Sequence, residues 1–251
     1  MGAGFTSPKQ PATSSETPVS WKIDQRLLDK TEQLLRHRQS ITVLEAGCGS
    51  QSHFAFTGRV EMHGIDISQE ELDKNYQVEQ KILGDIQSYP LPRSQYDVVV
   101  CWDVIEHLCR PRDALLNMFL SVKPDGLVLL GFPNLISFKG LATKITPAWL
   151  HRLYYRVMRG DLGYDFHPFK TYLRWEILPR NVLKFANQNG FAAELYNLEE
   201  GAVQKRLRTR VWPAKALFSI IQACVQLLSL GGAPSLYLDY CMIVPRKQVA
   251  E

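Results

Sequence analysis

Seven consecutive residues, Tyr96-Asp97-Val98-Val99-Val100-Cys101-Trp102, form a nearly unbroken apolar run rich in β-branched and aromatic side chains. A run without polar alternation fits a strand buried on both faces, and such strands occur where helices cover a sheet from both sides. The flanking sequence has the matching alternation. Ile41–Ala46 reads as a strand that ends abruptly in Gly47-Cys48-Gly49. Val60–Ile67 is a second strand whose end falls at Asp66, Lys81-Ile82-Leu83 a third closed by Gly84-Asp85, and Leu127–Phe132 a fifth. The spacing of Ile23, Leu27, Leu28, Leu34 and Leu35 predicts a helix after Trp21. Ser68 and Glu71 form a capping box for a helix to about Tyr76, and another helix fits 113–122, before a turn at Lys123-Pro124-Asp125-Gly126. Strands alternating with helices imply an α/β, doubly wound sheet with right-handed crossovers.

The second half is less regular. Residues 135–178 are rich in aromatic and basic side chains and read as an insert. Leu178-Pro179-Arg180 opens a helix that closes at Asn189-Gly190, and Phe191–Leu198 and Leu236–Val244 are two late strands. Between these strands, over about 202–230, lie the basic cluster Lys205–Arg210 and an apolar helix at about 213–230. Residues 1–20 have almost no large apolar side chains and are expected to be a mobile tail, leaving 21–251 as a single domain. Met1-Gly2-Ala3-Gly4-Phe5-Thr6 fits the myristoylation pattern formally, a match that chance readily gives in such a tail.

In an open parallel sheet, ligands bind at the carboxyl ends of the strands. Gly47-Cys48-Gly49, Asp66 and Asp85 all fall there, on three successive strands. The glycines let the backbone approach a ligand, Asp66 can accept from both hydroxyls of a ribose, and Asp85 can meet an adenine amino group. A nucleoside-binding face follows. A dinucleotide fingerprint needs a third glycine, but Ser52 stands in its place, and Glu45 just before the turn would repel a pyrophosphate while suiting a cation. There is no P-loop.

Val43-Leu44-Glu45-Ala46-Gly47-Cys48-Gly49 resembles motif I of the class I S-adenosylmethionine-dependent methyltransferases. Gly64-Ile65-Asp66-Ile67-Ser68 is similar to their second-strand motif and Gly84-Asp85-Ile86 to their third. The run from Tyr96 through Cys101, Trp102, Glu106 and His107 to Leu108 resembles the fourth-strand motif of the small-molecule branch, which includes quinone-biosynthesis enzymes. Val122–Gly126 matches the turn before their fifth strand. The resemblance implies a seven-stranded, mostly parallel Rossmann-like sheet, its last strand antiparallel and inserted beside the fifth. It implies S-adenosylmethionine as cofactor, held by Glu45, Gly47, Cys48, Gly49, Asp66, Ile67, Asp85, Ile86, Cys101 and Trp102. One departure stands out. Only about ten residues separate Gly49 from the second strand, so the first helix after motif I is expected to be short or distorted.

The expected reaction is methyl transfer to a small, apolar, aromatic or polyketide-like acceptor, with oxygen as the foremost acceptor atom. Nitrogen, carbon and sulfur stay open, as do a cyclase or isomerase that uses the cofactor only as a charge and a non-catalytic cofactor-binding subunit. His107, past the fourth strand, and His167, in the aromatic insert, are the candidate bases. In the family a histidine at the place of His107 is usually structural or a wall of the cofactor site. Phe132, Phe138, Trp149, Tyr154, Phe166 and Phe169 are expected to line the acceptor pocket, with the insert as a lid.

Several classes are excluded or unsupported. Lys plus Arg is 29 and Asp plus Glu 25, and a net +4 does not call for nucleic acid. The chain also lacks the Asn/Asp-Pro-Pro-aromatic motif of base-modifying methylases. Five cysteines without C-x-x-C or zinc spacing predict free thiols and no metal site. Neither a signal peptide nor an apolar run of about 18–20 residues is evident, so a cytoplasmic place is expected. In the helix near 213–230, Lys215, Ser219, Gln222, Gln226 and Ser229 form one narrow polar stripe on an apolar cylinder, preceded by the basic cluster. That pattern fits packing on the sheet, packing on a second copy in a homodimer, or peripheral contact with a membrane.

Overall fold

All seven residues of β4 (Tyr96–Trp102) are buried, and the strand lies fourth in a seven-stranded sheet of order β3-β2-β1-β4-β5-β7-β6. The computed structural model describes residues 25–137, 140, 171–172, 174–201, 205, 212–228 and 236–249. β1 (Ile41–Ala46), β2 (Val60–Asp66), β3 (Gln80–Leu83), β4 and β5 (Val122–Pro133) run parallel. β7 (Tyr240–Lys247) is antiparallel and sits between β5 and β6 (Phe191–Glu199), as expected. The tail 1–20 and most of the insert 135–178, with Phe138, Trp149, Tyr154, Phe166, His167 and Phe169, lie outside the described residues.

Side chains alternate across a strand, so one buried strand feeds two cores. Val99 and Cys101 of β4 join Leu44, Val128, Leu130 and Phe132 against Leu115, Met118 and Phe119 of α3 (Pro111–Ser121) and Val182 and Ala186 of α4 (Pro179–Gln188). Val98, Val100 and Trp102 join Val43, Leu127 and Leu129 against Leu27 and Leu35 of α1 (Gln25–Leu35) and Phe54. Aromatic contacts fasten the edges: Phe119 stacks on Phe191 with centroids 4.4 Å apart.

At the amino ends of the parallel strands, the buried Asp97 carboxylate accepts hydrogen bonds from three elements. Its donors are Arg38 beyond α1 at 2.6 Å, the Thr42 amide of β1 at 2.8 Å and Lys123 Nζ of β5 at 2.8 Å. Burying a carboxylate is costly unless its oxygens are paired, and here both are.

Four local expectations change. Glu71 N donates to Ser68 Oγ at the start of α2 (Gln69–Lys74), but Ser68 N donates to Asp66 Oδ1. The strand-end carboxylate thus takes the place of the Glu71 side chain in the capping box. No helix forms between Gly47 and Arg59, because ten residues cannot form a crossover helix and also reach β2. The expected turn at 123–126 lies within β5, where Asp125 takes φ 59° beside a shift in the β4–β5 register. β7 begins at Tyr240 rather than Leu236, because Asn134 at the end of β5 ties the preceding residues down. Its side-chain amide donates to Leu238 O and its backbone N–H to Asp239 O, both at 2.8 Å. No helix among the described residues is long and apolar enough to cross a membrane.

Asp97→Ala should destabilise the fold by about 2–4 kcal/mol, on the scale of breaking a buried pair with partly exposed partners. Urea unfolding followed by circular dichroism measures this, and a change of under about 0.5 kcal/mol, the range of ordinary surface substitutions, would reject the clamp.

Candidate functional site

The chain leaves β1 through a turn that no helix supports, so its donors and acceptors are met by the β2 backbone and by side chains. Gly47 and Gly49 take φ of 72° and 49°, which favours glycine. Gly47 N and Cys48 N both point at Ile65 O of β2, at 2.7 and 3.4 Å. Gly49 N donates to Asp66 Oδ2 at 3.0 Å. The buried Asn75, just after α2, donates its side-chain amide to Cys48 O and Gly49 O at 3.2 and 3.0 Å. Ser52 N reaches Gln77 Oε1 at 2.9 Å, and His53 donates its backbone N–H to Glu45 Oε1 at 2.9 Å. A side chain on Gly47 would collide with Val104, whereas the space above Gly49 is open. The turn is packed on its inner side and free on the side where a ligand would approach.

Carboxylates gather at this end of the sheet. Glu45 is only 1% exposed; its Oε1 takes the His53 imidazole at 2.7 Å as well, while its buried Oε2 has no hydrogen-bond partner. Asp103 follows β4 in the left-handed region at φ 54°, and its Oδ1 accepts from the Tyr240 hydroxyl at 2.8 Å. Glu106 is buried in the 3-10 turn Ile105–His107. Burial raises the Cys101 thiol, and the charges of Glu106, Asp103 and Glu45 all raise it further, so the three acids share one field. Burial disfavours the His53 imidazolium, but its hydrogen bond to Glu45 and the charges of Glu45 and Asp103 outweigh that and raise its pKa. Burial likewise holds the Tyr240 phenol well above its ordinary value.

The donor set suits S-adenosylmethionine. Its sulfonium and ammonium are cations, and an acid-lined turn with an unsatisfied buried carboxylate oxygen favours a cation over a pyrophosphate. Asp66 uses one acceptor position on each oxygen, for Gly49 N and Ser68 N, leaving the other lone pairs for ribose hydroxyls. Ile67 beside it is 61% exposed and offers an apolar surface. Asp85 already accepts from Gln87 N and Gln87 Nε2, so that glutamine fixes its carboxylate.

Other sequence-predicted positions are placed differently. The Cys48 side chain points inward onto Leu72 and Val78, its thiol pushed up to about 12 by burial and by Asp66 and Glu45, so only its backbone borders the turn. Cys101 and Ile86 are core residues. Trp102 packs edge-on against Phe54 at 5.0 Å and over Gly131, where no Cβ would fit. Phe132 is fully buried: it shares the parity of Val128 and Leu130 and faces the α3–α4 core. His107 is half-buried, with Nδ1 3.4 Å from Thr171 Oγ1, and Tyr172 N donates to Glu106 O at 2.9 Å. The chain returning from the insert therefore docks on the turn that carries His107. His53, Asn75, Asp103, Tyr240 and Gln87 were not singled out from sequence. Among the described residues, no group of three or more His, Cys, Asp or Glu is placed to hold a metal ion.

The His53 shift carries a sign. Its folded pKa lies above the ordinary value of about 6.5, so the Glu45–His53 pair contributes fully below that pH and its contribution is lost as pH rises through the higher folded value. Replacing His53 with Gln should lower Tm most at pH 5.5–6, and the gap to wild type should close toward pH 9. Differential scanning calorimetry across that range reads it, and a gap that widens with pH contradicts the ion pair.

Residues 21–171 match the family described as "Methyltransferase domain", more than half of the chain. A probable S-adenosylmethionine-dependent methyltransferase of Mycolicibacterium smegmatis is 32% identical over 122 residues, 46% of this chain and 48% of that protein. The mitochondrial ubiquinone biosynthesis O-methyltransferase of Schizosaccharomyces pombe is 33% identical over 106 residues, 42% of this chain and 35% of that protein. The chain thus spans about half the length, or less, of the curated relatives it matches. A solved S-adenosylmethionine-dependent methyltransferase from Mesorhizobium loti shares the fold with TM-score 0.54 at 13% identity, over 87% of this chain and 96% of that one. The matched motifs, the inserted antiparallel β7 and the acid-lined glycine turn agree: the chain belongs to the class I S-adenosylmethionine-dependent methyltransferases.

Proposed function

We propose that this protein transfers a methyl group from S-adenosylmethionine to an oxygen of a small, largely apolar acceptor of aromatic or polyketide-like build. The observation that carries the cofactor half is the buried Glu45 Oε2 with no partner, four residues before the open face of Gly49. Support for the acceptor half comes from the Schizosaccharomyces pombe relative, named for O-methylation in ubiquinone biosynthesis, and from the aromatic residues of the insert.

Bound in this site, the cofactor supplies an electrophilic methyl group on a sulfonium. The chain's residues then hold and orient. Asp66 accepts from the ribose, Asp85 faces the adenine, and Glu45, Asp103 and Glu106 supply the negative field that favours a cation. Orientation supplies much of the rate in such a transfer, because the acceptor need only be held in line with the methyl–sulfur bond. A neutral hydroxyl also has to lose its proton, and His167 of the insert is our candidate base. His107, fastened to Thr171, supports the returning insert and the wall of the site.

Asp66→Ala should weaken S-adenosylmethionine binding by about 1.5–3 kcal/mol, the scale of hydrogen bonds to a charged group, as read by calorimetric titration of the folded variant. Unchanged affinity removes Asp66 from the ribose site. His167→Ala should slow turnover about 10²–10⁴-fold with cofactor affinity intact, and more than His107→Ala does; full activity in the His167 variant rejects the base. Transfer itself is tested by incubating candidate phenolic and polyketide acceptors with methyl-labelled cofactor. A labelled methyl in the product supports the reading. An unlabelled rearranged product replaces it with a cyclase or isomerase, and intact cofactor binding with no product from any acceptor replaces it with a binding subunit.

A further inference from the structure

The helix α5 (Trp212–Leu228) exposes every described side chain but one, the apolar ones together with Ser219 and Gln226. Gln222 is buried, and its Oε1 accepts from Leu236 N at 2.7 Å. Ala216, Ile220, Ala223, Cys224 and Leu227 are all exposed, with Ile220 at 62% and Leu227 at 78%. Their spacing of four, three, one and three places them on one face, roughly opposite Gln222. A contiguous apolar face turned outward marks a contact surface rather than scattered exposure.

The charge of the surrounding sequence selects the partner. From Gly201 to Leu238 the chain holds Lys205, Arg206, Arg208, Arg210 and Lys215 and no acidic residue. An apolar helix face within a purely cationic stretch complements an anionic lipid surface, where each Lys or Arg strengthens binding roughly fivefold. A second copy of the same stretch would add five further positive charges. The 17 residues span about 25 Å, short of the roughly 30 Å hydrocarbon core, so the helix lies along a bilayer and does not cross it. The connection that contains it leaves β6 after Glu199 and returns to β7 at Tyr240, and those two residues are paired. It therefore begins and ends at the same end of the sheet as the glycine turn and Asp103.

We propose that the exposed face of α5 docks this protein on an anionic membrane surface. The test is sedimentation of the full chain with phosphatidylcholine vesicles and with vesicles that also contain phosphatidylglycerol. Wild type should pellet with the anionic vesicles, less so as salt rises, and should stay in solution with phosphatidylcholine alone. The double variant I220E/L227E should keep its circular dichroism and Tm, because both side chains are exposed, and should bind anionic vesicles at least about tenfold more weakly. A second readout is bimane on Cys224 in a C109S background, where the three remaining cysteines are buried. Its emission should shift to the blue with anionic vesicles. The proposal is overturned if wild type stays in solution with anionic vesicles or binds both vesicle types equally. It is also overturned if light scattering shows a dimer that I220E/L227E dissociates while wild type binds no vesicle.

Discussion

The exit from β1 is the constraint on which the ligand-facing half of this molecule depends. Buried backbone donors must be paired, and a helix usually meets that demand after a parallel strand. Here ten residues lie between Gly49 and Val60, and they form no helix. Glu45, Asp66, Asn75 and Gln77, on three neighbouring stretches of chain, supply the missing partners. Two of these four, Glu45 and Asp66, are also the acids to which the proposed reading gives the cofactor. In that reading the groups that shape the turn and the groups that bind through it are the same.

Burial pattern explains which parts of the fold were legible in the sequence. β1 and β4 were read with the bounds the structure has, because strands buried on both faces appear as apolar runs that end where burial ends. Gly190 at φ 78° and Pro179 at the first turn marked the ends of α4 just as reliably. The start of β7 was misplaced because Leu236 and Leu238 continue the apolar pattern, while the boundary is set by Asn134, about a hundred residues away in sequence.

The acids and glycines of the candidate site could be placed at strand ends from the sequence, and what holds them could not. Asp66 and Gly47 sit at strand ends, which sequence order locates. His53, Asn75 and Gln87 lie in irregular chain, where no periodicity says which way a side chain points. Trp102 and Phe132 show what strand alternation decides. Trp102 ends β4 and Phe132 is the last residue but one of β5, and alternation along the strand assigns Trp102 to the face of Val98 and Val100, and Phe132 to the face of Val128 and Leu130. Counting by twos from the strand centre would have placed both in the core.

The order of the last strands ties the two ends of this argument together. Inserting β7 between β5 and β6 brings Pro133, Glu199 and Tyr240 side by side, since Tyr240 pairs with both neighbours. Two long connections, one after β5 and one between β6 and β7, therefore open at the cofactor end of the sheet. Tyr240 is the joint between them and the site, with its hydroxyl on Asp103 and its ring 5.8 Å from Trp102. Because these connections leave from the carboxyl edge, their composition can vary without disturbing the Asp97 clamp at the opposite edge or the cores beneath β4. The Asp97 clamp and the glycine turn belong to the first five strands, and both long connections attach at the last three.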